Sequence, residues 1–71
     1  MSTTTFTVNG MTCGHCVSAV TEELSAIEGV ASVDVELVAG GDSPVTLTSQ
    51  APVDASAIEA AVVEAGYTVT A

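Results

Sequence analysis

No lysine and no arginine occurs in these 71 residues, against nine aspartates and glutamates and a formal charge of −9. Only His15 and the terminal amine could pair with an acid, so the carboxylates repel one another without relief. A chain with no cation cannot neutralise phosphates, which excludes nucleic acid and anionic lipid as partners. Where charge steers docking, it favours a basic partner face. Tryptophan is absent too, and Phe6 and Tyr67 are the only aromatics. The core must therefore be built from Val, Ala, Leu and Ile, for which the apolar share of 48% is adequate. No apolar run is long enough to cross a bilayer, so no direct membrane insertion is expected. Met1 to Thr5 carries no positive charge and no signal-like apolar run follows, so the expected location is cytoplasmic. Thiols stay reduced there, and a cysteine pair reads as a metal or redox site before it reads as a staple.

The length suits a single domain, residues 1–71, with core burial alone giving only marginal stability. Thr3 to Asn9 alternates around Phe6 and Val8 and predicts a strand. Gly10 to Thr12 reads as a loop, with Thr12 as the helix N-cap. From Cys13 to Glu28, Val17, Val20, Leu24 and Ile27 fall three and four apart along one helical face, and Gly29 supplies the stop. Val33, Val35 and Leu37 alternate with Asp34 and Glu36 in a strand whose outer face is acidic. Ala39 to Asp42 is a turn, Pro44 precedes the next strand around Val45 and Leu47, and Pro52 follows it. Asp54 caps a second helix buried through Ile58, Ala61, Val62 and Ala65 and ended by Gly66. Tyr67 to Thr70 closes the chain as a short strand. The expected class is α+β, a ferredoxin-like βαββαβ sandwich with a four-stranded antiparallel sheet and two helices on one face.

The chemistry concentrates in Gly10-Met11-Thr12-Cys13-Gly14-His15-Cys16, which holds both cysteines and the only histidine. Thiols at a helix N-terminus meet unpaired N–H groups and the positive end of the dipole, which shifts both toward thiolate. Cu(I) is soft and takes two sulfur ligands, so Cys13 and Cys16 suit it; Ag(I) and Hg(II) fit for the same reason. A closed zinc site normally needs four ligands. Zn(II) is therefore expected only weakly, or with ligands shared by a second molecule. His15 lies between the cysteines in sequence, either solvated, tuning the thiolates, or adding a third ligand in a dimer. Thiolates of two loops could also bridge one ion, which makes a copper-dependent homodimer an open outcome. Cys-Gly-His-Cys is equally the active-site tetrapeptide of protein disulfide isomerases, so a small thiol-disulfide oxidoreductase is the rival reading. Against it stand the short chain, Thr12 where those enzymes carry Trp, and the lack of a suitable proline loop.

Gly-Met-Thr-Cys-Gly-His-Cys before an amphipathic helix resembles the heavy-metal-associated domain family, in its short bacterial copper-chaperone form of the CopZ type. The likeness runs over the whole chain, through Ala65-Gly66-Tyr67. It implies a non-enzymatic protein whose Cys13 and Cys16 hold Cu(I). It also implies that Met11 packs beneath the metal loop without coordinating. Tyr67 falls where bacterial members place a tyrosine near the site, to cap the loop or to pack on the second helix. The implied role is to carry copper in the cytosol to the metal-binding domain of a copper-transporting P-type ATPase, with a copper-responsive repressor as a further recipient. An excised metal-binding domain of such a pump is an alternative, against which the initial Met1 and the end at Ala71 weigh. The absence of any cation departs from basic-surfaced chaperones and from docking models built on them.

Overall fold

The computed structural model describes residues 1–70. In chain order the elements are β1 (Ser2–Asn9), α1 (Gly14–Ser25), β2 (Val30–Val35), β3 (Asp42–Ser49), α2 (Ala55–Glu64) and β4 (Thr68–Val69). The strands form one sheet in the order β2-β3-β1-β4, and every neighbouring pair is antiparallel. This is the split βαβ arrangement that the alternation and periodicity predict. Phe6 and Val8 of β1 and Val45 and Leu47 of β3 pack with Val20 and Leu24 of α1 and Ile58 and Val62 of α2. Met11, from the loop between β1 and α1, is fully buried in the same core.

Several boundaries differ from those the sequence pattern predicts, and three of them have a clear local reason. The first helix ends at Ser25, not Glu28. The Ala26 N–H is shared between the Glu22 and Glu23 carbonyls, and Ile27 donates to Leu24 in a tightened turn. Two acids and no basic residue occupy the last turn, where the dipole disfavours negative charge. Gly29, at φ +90°, therefore does not stop the helix but turns the chain into β2.

Pro44 accounts for the other two. It lies inside β3, opposite Thr7 of β1, not ahead of the strand. Its carbonyl accepts the Glu36 N–H at 2.9 Å, so its nitrogen also faces β2 but has no proton to return. The β2–β3 ladder closes at Val35 opposite Val45, and Leu37, expected in the strand, is an exposed loop residue. Proline in a central strand is tolerated because its partner strand has already ended on that side.

Asp54 holds the N-cap position of α2 as expected, though its side chain makes no capping bond. At the other end Gly66, at φ +96°, donates to the Val63 carbonyl at 2.9 Å, and Tyr67 donates to Val62 at 3.0 Å. That pair of bonds is a Schellman motif, and it swings Tyr67 back toward the β1–α1 loop. The final strand is Thr68–Val69, shorter than the expected Tyr67 to Thr70, because Tyr67 is held in the helix-ending turn.

Candidate metal centre

The loop leaving β1 is shaped by two residues before the first cysteine. Gly10 adopts φ +100°, and a Cβ there would stand 3.4 Å from Cδ1 of Tyr67, so the tyrosine ring lies against bare backbone. Met11 follows with its side chain wholly inside the core. Its carbonyl accepts the Gly40 N–H at 3.1 Å, which ties the β2–β3 turn to the loop. That turn is itself held by buried Ser43, whose Oγ accepts the Val38 N–H at 2.9 Å.

Cys13, not Thr12, is the N-cap of α1, with extended backbone at φ −156° and ψ 176°. Its carbonyl accepts the Cys16 N–H at 3.1 Å and the Val17 N–H at 3.3 Å, which starts the helix. Cys16 is therefore the third helical residue. The cap and third positions are the two whose side chains each reach the other's backbone N–H in a capping box, so they share one corner of the helix start. Two intervening residues at a helix start thus bring the sulfurs together, and Cys13 Sγ lies 3.7 Å from Cys16 Sγ. Both thiols are free; Cys13 is exposed and Cys16 half-buried.

Thr12 has a different task from the one its sequence position suggests. Its hydroxyl lies 3.7 Å from Cys16 Sγ. The Cys16 thiol is lowered from 9.0 to about 6. The backbone N–H of Thr12 is the largest cause, followed by the Tyr67 hydroxyl, the Cys13 N–H and the Thr12 hydroxyl; partial desolvation opposes them. Tyr67 is raised in turn, chiefly because its proton is committed to Cys16, with desolvation and the two nearby sulfurs adding to the effect. These donors favour the thiolate form of Cys16 near neutral pH, beside a second accessible sulfur.

His15 sits at the second helical position with its ring exposed. Among the described residues no three His, Cys, Asp or Glu side chains converge closely enough to hold an ion. The arrangement is thus a pair of soft donors open to solvent, the chemistry of a two-coordinate soft cation. A sulfur–metal bond of about 2.3 Å would set the sulfurs of a linear site about 4.6 Å apart. The exposed Cys13 side chain need move by only about 1 Å to reach that span.

Met11, Cys13, Cys16 and Tyr67, the residues the motif and the resemblance point to, all stand at this site. Gly40 and Ser43 join them from about thirty residues away, with no local signal of contact in the sequence. Gly10 and Thr12 sat within the motif, but only the folded loop shows what each touches.

A model of the heavy-metal-associated domain matches residues 5–68. A copper chaperone CopZ from Staphylococcus aureus (strain JH9) is 52% identical over 40 residues, 56% of this chain and 59% of that protein. Copper-transporting ATPase 1 of Rhizobium meliloti (strain 1021) is 44% identical over 64 residues, which cover 90% of this chain and 7% of the pump. The chain therefore spans less than two thirds of either protein. Among solved structures, a CopZ metallochaperone superposes with a TM-score of 0.84 at 38% identity, covering 97% of this chain and all of that one.

Proposed function

This chain belongs to the heavy-metal-associated domain family, and on that premise we propose that residues 1–71 form one such domain that carries Cu(I) on Cys13 and Cys16. The protein is a carrier and not an enzyme: the ion is cargo, taken up and handed on unchanged. The carrying observation is the sulfur pair, 3.7 Å apart at the cap and third positions of α1 and open to solvent. A two-coordinate ion there can accept a third thiolate from a recipient and then release one of its own, so no free ion need form. Thr12 and Tyr67 keep Cys16 anionic, and Met11 anchors the loop from below as packing. His15 takes no part in a monomer.

The recipient is the metal-binding domain of a copper-transporting P-type ATPase, met in the cytoplasm. The likeness to a pump's own segment supports this, since two copies of one sulfur geometry exchange an ion with little net driving force either way. A copper-responsive repressor is a second recipient, and two loops sharing one ion give a copper-dependent homodimer. Ag(I) and Hg(II) replace Cu(I) through the same softness, and Zn(II) binds weakly for want of further donors.

The reduced protein, titrated with Cu(I) against a competing chelator, should take up one ion per chain. Cys13→Ser and Cys16→Ser should each lose affinity by orders of magnitude. Parent-like binding by either variant would overturn the assignment.

A further inference from the structure

A groove of about 450 Å³ lies between the turn after α1 and the connection from β3 to α2. Ile27, Pro52, Val53 and Ala57 give it an apolar lining, and Glu28 and Asp54 bring a carboxylate from either side. Hydrogen bonds fix both walls. The Gln50 N–H donates to the Gly29 carbonyl at 2.8 Å, which ties one wall to the other. Fully buried Ser49 donates its hydroxyl to the Ala51 carbonyl at 2.6 Å and holds the start of the β3–α2 connection. The groove is therefore built into the fold. α1 runs twelve residues, about 18 Å, between it and the sulfur pair.

Negative potential concentrates in this groove. Glu28 and Asp54 are both exposed, and Asp54 makes no capping bond to α2. The last turn of α1 adds the negative end of its dipole, with no basic residue to meet it. The N-terminus of α2 opposes them, but with about half a unit charge against the full charge of Asp54 in front of it. The chain has no lysine or arginine with which to answer this field.

We propose that the groove is a docking site for an arginine side chain on the surface of a partner protein. An arginine matches both parts of the lining. Its apolar stem lies on Ile27, Pro52 and Val53, and its guanidinium meets Glu28 and Asp54. The planar fork of N–H donors serves two carboxylates at once, whereas a lysine presents one strongly hydrated point charge. A second copy of this chain is not the occupant, since it has no arginine and arrives with the same charge of −9. With the partner held at the far end of α1, the sulfur pair stays open. The groove contains no sulfur, so the proposal stands or fails separately from the Cu(I) reading.

The probe is acetyl-Gly-Arg-Gly-amide, titrated at low salt into the reduced, metal-free protein and followed by amide NMR. The expected result is saturable shifts centred on Gly29, Gln50, Val53 and Ala57, with Gly14 and Cys16 unmoved. The citrulline peptide has the same shape without the charge and should bind at least about tenfold more weakly. The lysine peptide should bind at least about threefold more weakly than the arginine one. Glu28→Gln and Asp54→Asn change exposed positions, should fold normally, and should each weaken the arginine peptide by about threefold or more. Glu64→Gln makes the same change of net charge outside the groove and should leave the affinity within about twofold. Shifts that do not saturate, or an equal loss from Glu64→Gln, would reduce the attraction to general charge and overturn the proposal. A citrulline or lysine peptide that bound as tightly as the arginine peptide would overturn the occupant.

Discussion

Cys16 and Cys13 are the same residue type three positions apart, yet their surroundings differ. Cys16 receives donors from Thr12, Cys13 and Tyr67, which lower it to about 6. Removing one donor should be readable directly. Tyr67→Phe should raise the Cys16 pKa, shown by thiolate ultraviolet absorbance against pH and by slower alkylation near neutrality; an unchanged titration would show that the phenol only packs. A folded-state pKa below the unfolded one makes the thiolate a stabilising group above the unfolded value. That contribution is lost as pH falls through the folded value. For Cys16 the window runs from about 9 down to about 6. The apo parent should therefore lose melting temperature relative to Cys16→Ser as pH falls through it. A constant difference between the two proteins would contradict the donor arrangement. Met11 separates packing from ligation in the same way. Met11→Leu keeps the volume and should cost less than about 1.5 kcal/mol, with Cu(I) uptake intact, whereas a thioether ligand would make it lose affinity. Met11, Cys13 and Cys16 were legible because a single local motif contains them. The true task of Thr12 was not, since Ser or Thr before a helix reads as a cap. Here the cysteine itself takes the cap and leaves the threonine free to face its sulfur.

At the scale of elements, hydrophobic period carried the reading well and backbone chemistry limited it. Val20 and Leu24, and Ile58 and Val62, are the fully or nearly fully buried members of stripes that spacing alone identified. Element ends were less legible because hydrogen-bond accounting decides them. Pro44 ends the pairing of β2 by lacking a proton, a consequence visible only once the register sets it opposite Glu36. Gly66 shows the opposite case, a helix stop foreseen in place but whose purpose appears only in three dimensions. Its Schellman turn aims Tyr67 at the sulfur pair. A Cβ at Gly66 would meet no atom within 4 Å, so Gly66→Ala pays only for its φ of +96°. That cost is about 1–2 kcal/mol. The variant should melt earlier by that margin and should also raise the Cys16 pKa, though less than Tyr67→Phe. An early melt with an unmoved thiol titration would separate the turn from the aim of the tyrosine.

At the scale of the molecule, the dominant fact is charge of one sign on a small body. The principal extents are 31 × 19 × 19 Å. At roughly 0.01 M salt the screening length is about 30 Å, so every carboxylate acts on every other; at about 0.15 M it is about 8 Å and only neighbours interact. The folded state holds the nine acids closer together than the unfolded chain does, and its repulsion is therefore the larger of the two. No Lys or Arg converts any of that repulsion into attraction, so screening has no favourable pair to weaken. Sodium chloride should consequently raise the melting temperature, where each ~1 kcal/mol is worth about 4–8 °C in a domain of this size. The shape of the curve distinguishes this cause from general strengthening of apolar burial by salt. Screening rises steeply and levels off once the length falls below the spacing of the acids, whereas exclusion effects keep rising toward molar salt. A flat or falling melting temperature over the first ~0.15 M would mean that the acids are already relaxed in the fold, and the charge argument would fail with it.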